Sequence, residues 1–136
     1  MKKRRLLLPI MAFLIVALFS ATTSSHRSFE EKEYSSCLKK YKTKWGEKCL
    51  QCSNYTPNSY TVFYRNTCTD KLDVKCAVQE SNKQWRFFLR TDIAPNDSVV
   101  VYACDGTGKS LYWAKMAGDR TTSFPTDTEI AAEYSK

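Results

Sequence analysis

The chain has 136 residues, a formal charge of +7, six cysteines and one histidine, a length that suits one hydrophobic core. Four of its 21 basic residues, Lys2, Lys3, Arg4 and Arg5, precede an apolar stretch, so residues 26–136 keep 17 basic side chains against 14 acidic, a net of +3. That balance gives little reason to expect a nucleic-acid binder, and a lone His26 excludes Ser/His/Asp and Cys/His nucleophile pairs.

Residues 1–25 read as a secretory signal peptide: a basic start, an apolar core from Leu6 to Phe19, and small residues from Ser20 to Ser25 where cleavage occurs. The core of 14 residues falls short of the roughly 20 that a spanning helix needs. No later stretch is apolar enough to span, so the expectation is a secreted or periplasmic protein with no membrane span after cleavage. The first cysteine, Cys37, lies well past the cleavage zone, which argues against a lipid anchor.

In a small exported domain, Cys37, Cys49, Cys52, Cys68, Cys76 and Cys104 point to disulfides. A zinc reading of Cys49-x2-Cys52 lacks a matching second pair, since 15 residues separate Cys52 from Cys68 and seven separate Cys68 from Cys76. A thioredoxin-like use of the same pair needs a βαβ context that the pattern does not supply. Neither metal nor cofactor is expected.

Taken in order, Tyr34, Cys37, Leu38, Tyr41 and Trp45 fall at i, i+3, i+4, i+7 and i+11, the spacing of one helical face. Ser28 and Glu31 form a capping box, Lys39, Lys40, Lys42, Lys44 and Lys48 crowd the far end, and Gly46 stands where a helix stops. The prediction is an amphipathic helix over about 29–45 with its lysines on a solvated face. Glu47 to Ser59 reads as a turn-rich connector whose Cys49 or Cys52 bridges Cys37.

From Tyr60 the period becomes two. Tyr60 to Arg65 and Leu72 to Val78 form an expected hairpin, and Glu80 to Lys83 turns into a further strand where Trp85, Phe87 and Leu89 alternate with Arg86, Phe88 and Arg90. Ile93 to Asp97 is a turn around Pro95. Val99 to Cys104, apolar on both faces, is expected as a central strand paired with Leu111 to Met116 across Asp105-Gly-Thr-Gly108, with Cys104 bridged to Cys68 or Cys76. Arg120 to Phe124 adds a short strand, and Thr126 with Glu129 caps a brief helix over 127–134. The expected class is α+β: an antiparallel sheet or sandwich of five to six strands, an N-terminal helix and disulfides, all in residues 26–136.

Two patterns compete for chemistry. Ala103-x4-Gly108-Lys109-Ser110 satisfies a loose phosphate-binding loop, but Leu-Tyr-Trp-Ala-Lys follows it, strand-like where the motif needs a helix. The aspartates Asp70, Asp73, Asp92, Asp97, Asp105, Asp119 and Asp127 offer carboxylates for glycosidase chemistry, yet most sit in turns, where Asp caps its own backbone. Aromatics remain. Trp85, Trp113, Tyr102 and Tyr112 are the candidate ligand or partner contacts, and parity puts Tyr112 and Trp113 on opposite faces of one strand. Asn54-Tyr-Thr56 and Asn96-Asp-Ser98 are glycosylation sequons, informative only in a eukaryotic source.

Tyr64-x-Asn66-x-Cys68, Leu72-Asp-Val74, Trp85, Pro95, Tyr102-Ala-Cys104-x-Gly-Thr-Gly108, Trp113-Ala and Ala117-Gly-Asp119 together resemble a pattern in small exported bacterial proteins of unassigned activity. The resemblance covers about the C-terminal half and implies export and a bacterial source. Members often carry a cysteine just after the tryptophan, where this chain has Arg86 and Phe87, so no disulfide pairing is carried over. The functional expectation is a non-catalytic binding domain for a protein or glycan, with an aspartate-based envelope enzyme and an inhibitor or immunity-type protein as alternatives. Oligomeric state is left open.

Overall fold

A computed structural model describes residues 33–49, 51–53 and 56–135, within a compact unit spanning Glu31–Lys136. The expected signal segment and the expected Ser28/Glu31 capping box lie outside the described residues. A single-turn 3-10 helix, Tyr34–Cys37, leads into six strands: β1 Leu38–Trp45, β2 Tyr60–Asn66, β3 Leu72–Glu80, β4 Trp85–Ile93, β5 Ser98–Ala103 and β6 Gly106–Met116. A short helix, α1 (Asp127–Tyr134), follows. The strands form two three-stranded antiparallel sheets, ordered β1-β2-β5 and β4-β3-β6. Among the described residues no helix is long and apolar enough to cross a membrane.

The sheets pack face to face. Tyr60, Val62 and Tyr64 of β2 join Val99, Val101 and Ala103 of β5 against Leu72, Val74, Cys76 and Val78 of β3, with Cys37 and Leu38 closing one end. Polar groups in this core are satisfied. Buried Asn66 donates through Nδ2 to the carbonyls of Asp70 (2.8 Å) and Ile93 (3.1 Å), and its Oδ1 accepts from the Cys68 amide (3.0 Å). It thereby ties the β2–β3 connection to the β4–β5 turn. The Tyr64 hydroxyl donates to Ser110 Oγ at 2.9 Å.

The predicted N-terminal helix is corrected: its described part is the 3-10 turn and then β1, an edge strand paired with β2 from Leu38↔Asn66 to Trp45↔Tyr60. A register shift between Lys40 and Lys42 leaves Tyr41 as a bulged residue. One extra residue flips parity, so Leu38 and Trp45, an odd seven positions apart, lie on the same side of the sheet, opposite Asn66 and Tyr60. That bulge imitates helical spacing. The lysines are those of an exposed edge, where charge deters pairing with another chain.

Two expected hairpins are also corrected. β2 and β3 belong to different sheets, as do β5 and β6, and only the β3–β4 hairpin stands as expected. β5 is an edge strand rather than a central one, with Val100 43% exposed. Its turn is Cys104–Asp105; Gly106 begins β6 and is pressed so close to Tyr60 that an added Cβ would stand 2.6 Å from the tyrosine Cβ. Gly108 has φ +86° at a β6 irregularity over Trp45, so one glycine serves close approach and the other a left-handed backbone. The phosphate-loop segment is thus strand, with Ser110 engaged by Tyr64. Arg120 to Phe124 forms no strand, and the sixth strand is β1. The α1 helix has its capping box, Thr126 with Glu129, as expected.

Cysteine pairing differs from expectation. Because β1 runs antiparallel to β2, Cys37 arrives beside the β2 end and bonds Cys68, whose 31-residue separation corresponds to about 3 to 4 kcal/mol of chain-entropy stabilisation. Cys52 lies at bonding distance from both Cys49 and Cys104. Cys76 is not in a disulfide: it sits fully buried on β3 between Phe88 and Tyr112, out of reach of the others. Burial pushes its thiol up to about 12 from an ordinary 9. The neutral thiol's contribution to stability is therefore complete below pH 9 and declines as pH rises from 9 toward 12. Urea unfolding at pH 8 and pH 10.5 should show the wild type losing stability relative to Cys76→Ala at the higher pH; an unchanged difference would show that the thiol is not shielded.

Candidate functional site

The two outer faces of the sandwich have different fates. On the β4-β3-β6 sheet, the C-terminal segment lies across the surface: Lys75 donates to the Pro125 carbonyl (2.7 Å) and pairs with Asp127 (2.6 Å), while Lys115 donates to the carbonyls of Asp119 and Thr122. Trp113 meets Tyr134 edge-on at 6.4 Å, and Trp85 Nε1 donates to Ser135 Oγ at 3.1 Å. Both tryptophans are thus partly covered by the chain's own C-terminus. Tyr112, on the inner face, packs against Tyr64 at 5.0 Å. Of the four contact candidates, Tyr102 is the one that lines the concavity at the other sheet.

That concavity is a groove of about 680 Å³, within the range of small-ligand sites. Its lining comes from three places: Thr61, Phe63, Val100 and Tyr102 on the outer face of β2 and β5; Arg86, Phe87, Phe88 and Arg90 on β4; and Lys44, Glu47, Lys48, Cys49 and Gln51 on β1 and the connector after it. Val100 and Tyr102 are the second apolar face of β5, the face that suggested a central strand. Here it lines a cleft instead of a core.

The groove is cationic and aromatic, with four basic side chains against one carboxylate, Glu47. Lys44 pairs with Glu47 at 2.5 Å, and Arg86 Nε donates to Glu80 at 3.0 Å. Among the described residues, Lys48 and Arg90 have no carboxylate partner. Tyr102 is held from three sides: its hydroxyl donates to Gln51 Oε1 (2.7 Å), Phe88 meets it edge-on (5.3 Å), and the Arg86 guanidinium lies 5.3 Å from its ring centre. Arg90 lies 5.9 Å from the Phe88 ring centre. Such cation–ring pairs preorganise flat side chains beside positive charge.

Glu80 organises this end. Besides Arg86, its carboxylate accepts from the amides of Cys104 (3.3 Å) and Asp105 (3.0 Å). Asp105 in turn accepts from Ser81 and Thr56 hydroxyls, and the Ser81 bond above all holds its carboxyl below the usual range. One buried-edge acid therefore fixes both the β5–β6 crossover and a groove arginine.

The aspartates do not converge here. Asp73 caps the amides of Asp92 and Gly118, Asp119 caps Thr121, and Asp127 pairs with Lys75. No aspartate lines the groove. Reasoning from the sequence missed Phe63, Phe88, Arg86, Arg90, Lys44 and Lys48 as site residues. A signal existed: Arg86, Phe88 and Arg90 share one strand face, and a face with two arginines and a phenylalanine suits neither a dry core nor plain solvent. No protein-family model, curated protein or solved structure matches the chain.

Replacing Glu80 with alanine leaves two crossover amides without their acceptor and Arg86 without its partner, and is expected to cost about 2 to 3 kcal/mol in chemical unfolding. A loss under about 0.5 kcal/mol, within the range of plain surface substitutions, would remove Glu80 from its organising role.

Proposed function

We propose that this chain is a secreted or periplasmic, non-catalytic bacterial binding domain whose groove takes an acidic glycan. The observation that carries the reading is the pairing of Lys48 and Arg90, cations without carboxylate partners among the described residues, with Phe63, Phe88 and Tyr102 in one cleft. Sugar rings present apolar faces that stack on aromatic side chains, and carboxylate or sulfate groups on the same rings meet the cations. Cys37–Cys68 supports an oxidising compartment, in keeping with the basic and apolar N-terminal sequence. Against an aspartate-based enzyme stands the lining itself, where Glu47 is the one carboxylate and is committed to Lys44. The inhibitor reading draws no support from a concave site.

The test is calorimetric titration of the folded protein with a uronic-acid oligosaccharide and its carboxyl-reduced neutral counterpart. Binding of the acidic chain only is expected, weakening with added salt. Arg90→Ser should weaken it about tenfold and flatten the salt dependence. Tyr102→Ala should weaken it by a similar factor, ~1.4 kcal/mol, with the salt dependence kept. Equal affinity for the neutral chain, no binding of either, or tighter binding of a single-stranded oligonucleotide would overturn the proposal.

A further inference from the structure

Six cysteines suggest three disulfides, but the fold prevents that count. Cys37 and Cys68 close one pair, and Cys76 is sealed between the sheets. Three sulfurs remain, on Cys49, Cys52 and Cys104, all mutually within 4.8 Å. An odd number cannot pair completely.

Cys52 is the middle member. Its Cα lies 5.4 Å from that of Cys49 and 5.5 Å from that of Cys104, both inside the span a disulfide bridges. The Sγ atoms of Cys49 and Cys104 are 4.0 Å apart, so whichever is unbonded stands beside the other's bond to Cys52. Since a sulfur holds one disulfide at a time, the site has two forms: Cys49–Cys52 with a Cys104 thiol, and Cys52–Cys104 with a Cys49 thiol.

We infer that Cys49, Cys52 and Cys104 form a thiol–disulfide exchange site, in which one disulfide anchored on Cys52 passes between its two neighbours and leaves one reactive thiol beside the groove. In the forward step the Cys104 thiol gives up its proton to water, the thiolate attacks Cys52 Sγ, the Cys49–Cys52 bond breaks, and Cys49 leaves as thiolate and takes a proton from water. No net oxidant or reductant is needed. Toward an external disulfide R–S–S–R the residual thiolate acts in the same way, forming a mixed disulfide and releasing R–S⁻. Cys104 is the more exposed member, and Cys49 lines the groove, so the two forms present the thiol at different places. The Glu80 bond to the Cys104 amide and the β5–β6 crossover hold the third sulfur in position.

The folded protein, exported into an oxidising compartment, is treated with an alkylating reagent at neutral pH, digested without reduction and mapped by mass spectrometry. Cys49 and Cys52 share tryptic peptide 49–65 while Cys104 lies in another. The two forms therefore separate as an internally looped peptide with alkylated Cys104, and a cross-linked pair with alkylated Cys49. Both are expected, with Cys52 never alkylated. Cys49→Ser should give only the Cys52–Cys104 form and Cys104→Ser only the Cys49–Cys52 form, and an aromatic disulfide reagent should release one equivalent of thiolate per native wild-type chain. A single fixed form in the wild type after incubation at pH 8, Cys76 found in a disulfide, or three triad thiols holding a metal ion would each overturn the inference. Loss of glycan binding has no bearing on this outcome, so the two proposals fail separately.

Discussion

The structure depends on where the chain crosses from one sheet to the other. Between β5 and β6 stand only Cys104 and Asp105, too few residues to wander and, in this arrangement, not a hairpin. The Glu80 carboxylate takes the amides of both, Asp105 binds back to Ser81 and Thr56, and Gly106 fits against Tyr60 where any side chain would collide. Because the crossover is pinned, β5 joins β2 and β6 joins β3, and the apolar faces of both sheets close on one core.

The groove follows from the same constraint. With β5 at a sheet edge, its second apolar face is left uncovered beside β4, where Phe88 and Arg86 reach Tyr102. On the opposite sheet Lys75, Lys115, Trp85 and Trp113 are all engaged by the segment after β6. One sandwich therefore carries one outer face partly covered by its own C-terminus and another that lines a groove. Cys104, fixed at the crossover, reaches Cys52 in the connector that also supplies Lys48 and Gln51 to the groove.

Much of the β architecture was legible because it is written in alternation. β2, β3 and α1 begin and end within a residue or two of their expected places, while β4 starts as expected but runs on three residues past Arg90 to Ile93, and turn residues mark the gaps. Pairing was not legible, since alternation says which face is buried and not which strand lies alongside. β1 was misread for a definite reason: a bulge at Tyr41 converts a period-two strand into helical spacing, and lysines suit an edge strand as well as a solvated helix face. Tyr102, chosen as a contact candidate for its chemistry, lies in the groove. Its partners were half legible: Arg86, Phe88 and Arg90 share a mixed strand face, but Arg86 and Phe88 reach Tyr102 only because β4 lies beside β5. The disulfides likewise needed β1 as a strand before Cys37 and Cys68 could meet.

Strand pairing around the crossover is the claim on which the core, the groove and the cysteine cluster all rest. Nuclear magnetic resonance on the folded, isotope-labelled protein measures it directly through interstrand proton contacts. The account requires backbone contacts of Val101 with Val62 and of Tyr112 with Cys76, and none along a Val101–Leu111 ladder. A continuous ladder joining 99–103 to 110–114 would restore the simple hairpin and contradict the architecture described.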